Sequence, residues 1–164
     1  MTKLIILRGP SGSGKSSVAK ELRKKSKYKT ALVEQDYLRR IVLKEEDTQD
    51  GINSRLILQV VKFALDSEYN VILEGILFTK HYKEMLSELL DYHPNENYAY
   101  YFDVSFKETL KRHATKDTAQ EFGEKEMKNW YQQSDTLGLI YEQVLPETLS
   151  LKQTVLKILK ETKL

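Results

Sequence analysis

Cysteine is absent from the 164 residues, which removes disulfides and thiolate metal sites and accords with a reducing cytosol. A charge excess is missing too: 26 basic and 24 acidic side chains leave a formal net charge of +2, too balanced to imply a nucleic-acid partner. The first apolar run, Leu4 to Leu7, is too short for a signal peptide or a membrane span. The chain is therefore expected to begin at Met1 and to work in the cytoplasm, away from membranes. Repeats, low-complexity segments and Pro/Gly-rich linkers are lacking, so residues 1–164 read as one domain. The three histidines, His81, His93 and His113, lack metal-ligand spacing. An Asn-Lys-x-Asp guanine motif is also missing, which argues against a GTPase.

What is present, directly after Arg8, is Gly9-Pro10-Ser11-Gly12-Ser13-Gly14-Lys15-Ser16-Ser17, a match to G-x-x-x-x-G-K-[ST]. Adjacent β- and γ-phosphates concentrate negative charge, and a glycine-rich turn meets it with backbone amides free of bulky side chains. Lys15 adds a point charge. A helix predicted to start near Lys15 aims its free N–H groups and positive dipole end at the same anion, and the Ser16 hydroxyl is left for Mg²⁺. The nucleotide-binding set is therefore Gly9, Ser11, Gly12, Ser13, Gly14, Lys15, Ser16 and Ser17.

Apolar strand-like runs then alternate with helical patterns, which predicts a three-layer α/β/α fold around a five-stranded parallel sheet. Strands are expected at residues 3–7, 30–34, 71–73, 98–102 and, most weakly, 142–145, where Pro146 stops the run. Asp36 is expected to open a short helix through Tyr37, Leu38, Ile41 and Val42, and residues 44–51 a loop. Leu56, Ile57, Val60, Val61, Ala64 and Leu65 cover most of one helix, which should be deeply packed. Ser105 with Glu108 and Ser150 with Gln153 form capping boxes; Phe106, Leu110 and Ala114 should face inward after the first. Trp130 and Tyr131 read as core. Lys20, Arg23, Lys24, Lys25, Lys27 and Lys29 crowd the end of the first helix and read as a solvated face rather than a polyanion site.

Ligands on doubly wound sheets bind outside the carboxyl ends of the strands, which gathers the loop at Gly9, Asp36, Glu74 and Asp103 on one edge. Phosphoryl transfer needs a carboxylate that accepts the acceptor's hydroxyl proton, and Asp36 is the best placed; the competing role is a plain helix N-cap. Arg39 and Arg40, one turn on, suit an acceptor bearing its own carboxylate or phosphate. Glu74 ends an apolar strand, where a carboxylate either contacts the acceptor or pairs with a structural cation. Mg²⁺ would take Ser16, with Asp36 or Glu74 reaching it through water. Arg112 and Lys116, on and just past a helix end and before a polar segment, read as lid cations, with the lid over about residues 113–134. Asp103 reads as a turn residue and His113 as a packing or surface residue.

Gly9 to Ser16, Asp36-Tyr37-Leu38-Arg39, Leu73-Glu74-Gly75 and the segment from Arg112 to Lys116 together resemble the small P-loop kinases. That group includes gluconate and shikimate kinases, chloramphenicol phosphotransferase, zeta-toxin kinases and the polynucleotide kinase domain. The resemblance implies that Asp36 is the base, that Arg39 holds the acceptor, that Arg112 and Lys116 act from a lid and that the segment from Thr148 borders the adenine. It implies an ATP-dependent kinase for a small hydroxylated molecule, acting as monomer or homodimer. The alternatives are a polynucleotide 5′-hydroxyl kinase, with nucleic acid less favoured as partner, and a non-catalytic or regulatory nucleotide-binding module.

Overall fold

Side chains along a strand alternate between its two faces, and the first strand, β1 (Leu4–Arg8), is buried at every position. Leu4 and Ile6 join one apolar cluster while Ile5 and Leu7 join another. A strand that is apolar on both faces needs a cover on both, and full burial of each such side chain contributes about 1.5–3 kcal/mol. The computed structural model, which describes residues 2–49, 51–115, 122–138 and 142–164, supplies those covers.

The other strands are β2 (Thr30–Glu34), β3 (Asn70–Gly75), β4 (Asn97–Asp103) and β5 (Glu142–Pro146). All pair in parallel, in the spatial order β2-β3-β1-β4-β5. Helices α2 (Asn53–Asp66) and α3 (Thr79–Tyr92) cover the Leu4 face through Ile57, Val61, Leu86 and Leu89. Helices α1 (Lys15–Lys25) and α6 (Leu151–Thr162) cover the Ile5 face through Val18, Leu22, Val155 and Ile158. The three-layer α/β/α arrangement is thus as the sequence predicts, and no helix among the described residues is long and apolar enough to cross a membrane. Pro146 ends the edge strand β5 opposite Asp103, where its missing N–H costs the ladder little.

Local departures have local causes. The segment after Asp36 is a π-helical turn, Tyr37–Val42, in which the Leu43 N–H donates to the Leu38 carbonyl across five residues. In α2 a single stripe is buried rather than most of the surface, and Phe63 is 74% exposed. Helix α4 (Phe106–His113) buries Thr109 and His113, with Phe106 and Leu110 half-buried and Ala114 exposed, so its inward face is rotated from the predicted one. Helix α5 (Glu124–Trp130) anchors through Met127, while Trp130 is 39% exposed against the edge of Phe122. Both serines cap true helix starts, Ser105 accepting from the Glu108 N–H and Ser150 from the Gln153 N–H. Only the second is a full capping box: the Ser105 N–H donates to Glu147, because the Glu108 carboxylate is taken by Arg112.

Candidate active site

The carboxyl ends of β1, β2 and β3 open into a cleft of about 630 Å³. Ser11, Gly12, Gly14, Lys15, Ser16 and Ser17 form one side, and Asp36, Arg40 and Glu74 face them. Helix α1 begins at Gly14, whose φ of 101° is left-handed, with neither a capping side chain nor an acidic residue in its first turn. Its first N–H groups and dipole end are thus left for an anion in the cleft. Gly9 and Ser13 lie behind the lining. A Cβ on Gly9, at φ 146°, would stand 2.8 Å from the Phe102 carbonyl oxygen, so this glycine seats the loop against β4. Lys15 is nearly buried and donates to the Pro10 carbonyl at 2.9 Å, curled over its own loop.

Glu74 follows the apolar triplet of β3 and is registered beside Leu7 and Glu34. It is 4% exposed and accepts a 3.0 Å hydrogen bond from the Ser16 hydroxyl. Burial pushes its carboxyl above the ordinary 4.5, helped by the like charges of Glu34 and Asp36 and opposed by Lys15 and the Ser16 bond. These two hard oxygens fit Mg²⁺, which prefers a few protein oxygens with waters and substrate phosphates. Among the described residues no group of three metal-ligating acids, histidines or cysteines forms a separate cage.

The raised Glu74 value has a definite sign. Below 4.5 the group is protonated folded and unfolded; as pH rises from there toward its folded value, the unfolded chain releases the proton first and stability falls. Glu74→Gln should flatten that decline in urea denaturation between pH 4.5 and 7. Parallel stability profiles for the two proteins would reject the buried-acid account.

Asp36 has helical backbone angles, φ −66° and ψ −35°, and caps nothing with its side chain. The plain N-cap role is therefore not the one it plays. Its carboxylate instead accepts from Arg39 at 2.6 Å and from Arg40 at 3.1 Å. Arg40 lines the cleft; Arg39 lies behind it, 17% exposed, also donating to the Glu45 carbonyl. The loop that follows is held by Glu45, which accepts from the Ile52 and Asn53 N–H groups and the Asn53 amide. Burial alone would raise the Glu45 carboxyl, but these bonds together with Arg39 hold it below its ordinary value.

Arg112 is placed against the phosphate loop, donating to the Ser13 carbonyl at 2.9 Å and to the Glu147 carbonyl at 2.8 Å. Thr148 is exposed and outside the cleft lining. Lys116 lies outside the described residues. His113 lines the cleft, its ring stacked on Phe122. Of the basic run only Lys20 lines the cleft, near Glu34 at 3.7 Å.

Sequence reasoning missed Arg8. This fully buried side chain donates to Glu142 at 2.8 Å, to Asp135 at 3.2 Å, to Thr79 and twice to the Leu77 carbonyl. Leu77 is left-handed, at φ 47°, so Arg8 clamps the strained turn leaving Glu74 and Gly75. An arginine ending an otherwise apolar strand was the available signal. Asp135-Thr136-Leu137-Gly138 spells an Asp-x-x-Gly switch, but its carboxylate serves Arg8 and the Thr79 N–H rather than the cleft.

Residues 4–139 match a family model described as an AAA domain. A search of curated proteins finds no significant match. Among solved structures, a gluconokinase from Sinorhizobium meliloti 1021 is 18% identical, with 98% of this chain and 91% of that one covered and a TM-score of 0.72. The Mycobacterium tuberculosis APS kinase CysC, solved with AMPPNP and APS, is 17% identical, with 99% and 98% covered and a TM-score of 0.75. A Deinococcus radiodurans tunicamycin resistance protein is 13% identical, with 99% and 97% covered and a TM-score of 0.71. At these identities the likeness is one of fold.

Proposed function

The chain belongs to the AAA domain family, and from that premise we propose that it is an ATP-dependent phosphotransferase moving the γ-phosphoryl of Mg-ATP to a hydroxyl of a small molecule. The observation that carries this reading is one cleft that gathers the glycine-rich loop, the hydrogen-bonded Ser16–Glu74 pair and Asp36. The fold shared with a gluconokinase and an APS kinase supports it.

In this reading the loop amides and the α1 N-terminus bind the β- and γ-phosphates, and Lys15 leaves the Pro10 carbonyl to follow them. Ser16 and Glu74 hold Mg²⁺, which when bound neutralises charge developing on the phosphates. Asp36 orients the acceptor hydroxyl and takes its proton as the new O–P bond forms. Arg112 contributes positive charge from the end of α4, where it is bonded to Ser13, and Lys116 contributes it from the lid at about residues 113–134, which excludes water on closure. The strand-end position of Thr148 is compatible with a border to the adenine.

Titration calorimetry with Mg-ATP tests the donor side. Wild type is expected to bind, and Lys15→Met to bind about tenfold or more weakly, as loss of a charge-assisted bond worth about 1.5–3 kcal/mol requires. Failure of the wild type to bind adenine nucleotide would end the proposal.

A further inference from the structure

Beside Asp36 and Arg40, the cleft also exposes large apolar side chains. Tyr37 and Ile41, four residues apart on the π-helical turn, line the cleft while 56% and 67% exposed. Ile76, just past the end of β3, and Phe122, beyond α4, line it as well. No residue of the π-helical turn is fully buried, so the turn holds large apolar side chains in water at the mouth of a polar site. Grouped apolar exposure of this kind marks a ligand groove.

The charges on the same wall are matched within the chain. Arg39 and Arg40 both bond to Asp36, and Lys20 lies 3.7 Å from Glu34. An anionic acceptor would have to detach one of these cations, losing a charge-assisted bond, or hold its own charge against Glu34, Asp36 and Glu74. A neutral acceptor meets neither cost. Extending the phosphotransferase reading, we propose that the acceptor is an uncharged alcohol on an aromatic or aliphatic body, which packs on Tyr37, Ile41, Ile76 and Phe122 and directs its hydroxyl at Asp36. The O–H proton passes to the Asp36 carboxylate as the alcohol oxygen bonds to the γ-phosphorus. The bond from that phosphorus to the β,γ-bridging oxygen breaks, leaving ADP and a phosphate monoester. Among the described residues of this wall the cations Arg39, Arg40 and Lys20 already face carboxylates, which favours release of the charged monoester.

The test supplies γ-labelled Mg-ATP with two panels matched in size: neutral alcohols with aromatic or aliphatic bodies, nucleosides among them, and polyhydroxy acids with sugar phosphates. Label is expected in the neutral panel, with Ile41→Ser raising KM for its best member about tenfold, as loss of an apolar contact does, and leaving KM for ATP in place. Label confined to the anionic panel and lost in Arg40→Ala would overturn this inference while keeping the phosphotransferase. Saturation-transfer NMR with AMPPNP present separates the other cases. Neutral alcohols that bind in an Ile41-dependent way without accepting label would overturn the acceptor role proposed here together with the transferase reading. Absence of both label and binding overturns the inference, as does an Ile41→Ser effect confined to self-association in sedimentation.

Discussion

Asp36→Asn should lower labelled phosphoryl transfer from Mg-ATP about 10²- to 10⁴-fold, the range that removal of a positioned proton acceptor spans. The amide keeps the carboxylate's shape and one oxygen for Arg39, so the π-helical turn should persist; what is lost is the ability to take a proton. Mg-ATP affinity should change little, because the proposed reading assigns the phosphates to the loop and α1, which also line the cleft, and not to Asp36. The two readouts separate roles that a single activity assay confounds. Weakened nucleotide binding with intact turnover would mean that Asp36 serves the metal or the loop, and unchanged turnover would remove it as the base.

The largest loss of stability should come from Arg8→Met. Methionine preserves the apolar stem but strands Glu142, whose side chain is 2% exposed, and Asp135, which is 16% exposed. Removing one partner of a buried ion pair costs about 3–5 kcal/mol, because the desolvated charge that remains has nothing to meet it. At the usual sensitivity of chains this long, the melting temperature should drop by about 10 °C. Adding Glu142→Gln should restore part of the loss, since it removes an orphaned charge. A double variant less stable than Arg8→Met alone would show that Glu142 holds the segment chiefly through the Leu137 N–H it also accepts, rather than through Arg8.

The legibility of the candidate site in the chain was uneven, for physical reasons. The phosphate loop could be read because its chemistry is local: the glycines, Lys15 and Ser16 act within a few residues of one another and of α1. Glu74 could be read as a polar end to an apolar strand, yet its partner Ser16 is 58 residues away and became known only through strand register. The paired arginines on Asp36 depended on a π-helical turn, whose five-residue hydrogen bond leaves no simple periodic pattern. Arg8 was hidden because its partners come from three distant segments, and the inward face of α4 was misjudged because contact with Gly12 and Phe122, rather than periodicity, set its rotation.

The sequence by itself determined the layered α/β class, the order of strands and helices and the anion-binding turn, because hydrophobic period and glycine geometry act over short stretches of backbone. The tertiary structure alone decided which charges neutralise one another, which apolar side chains remain in water and which carboxylate lies buried against Ser16. Those outcomes depend on which strand ends are brought side by side, and electrostatic energy depends on distance through space and on burial rather than on separation along the chain.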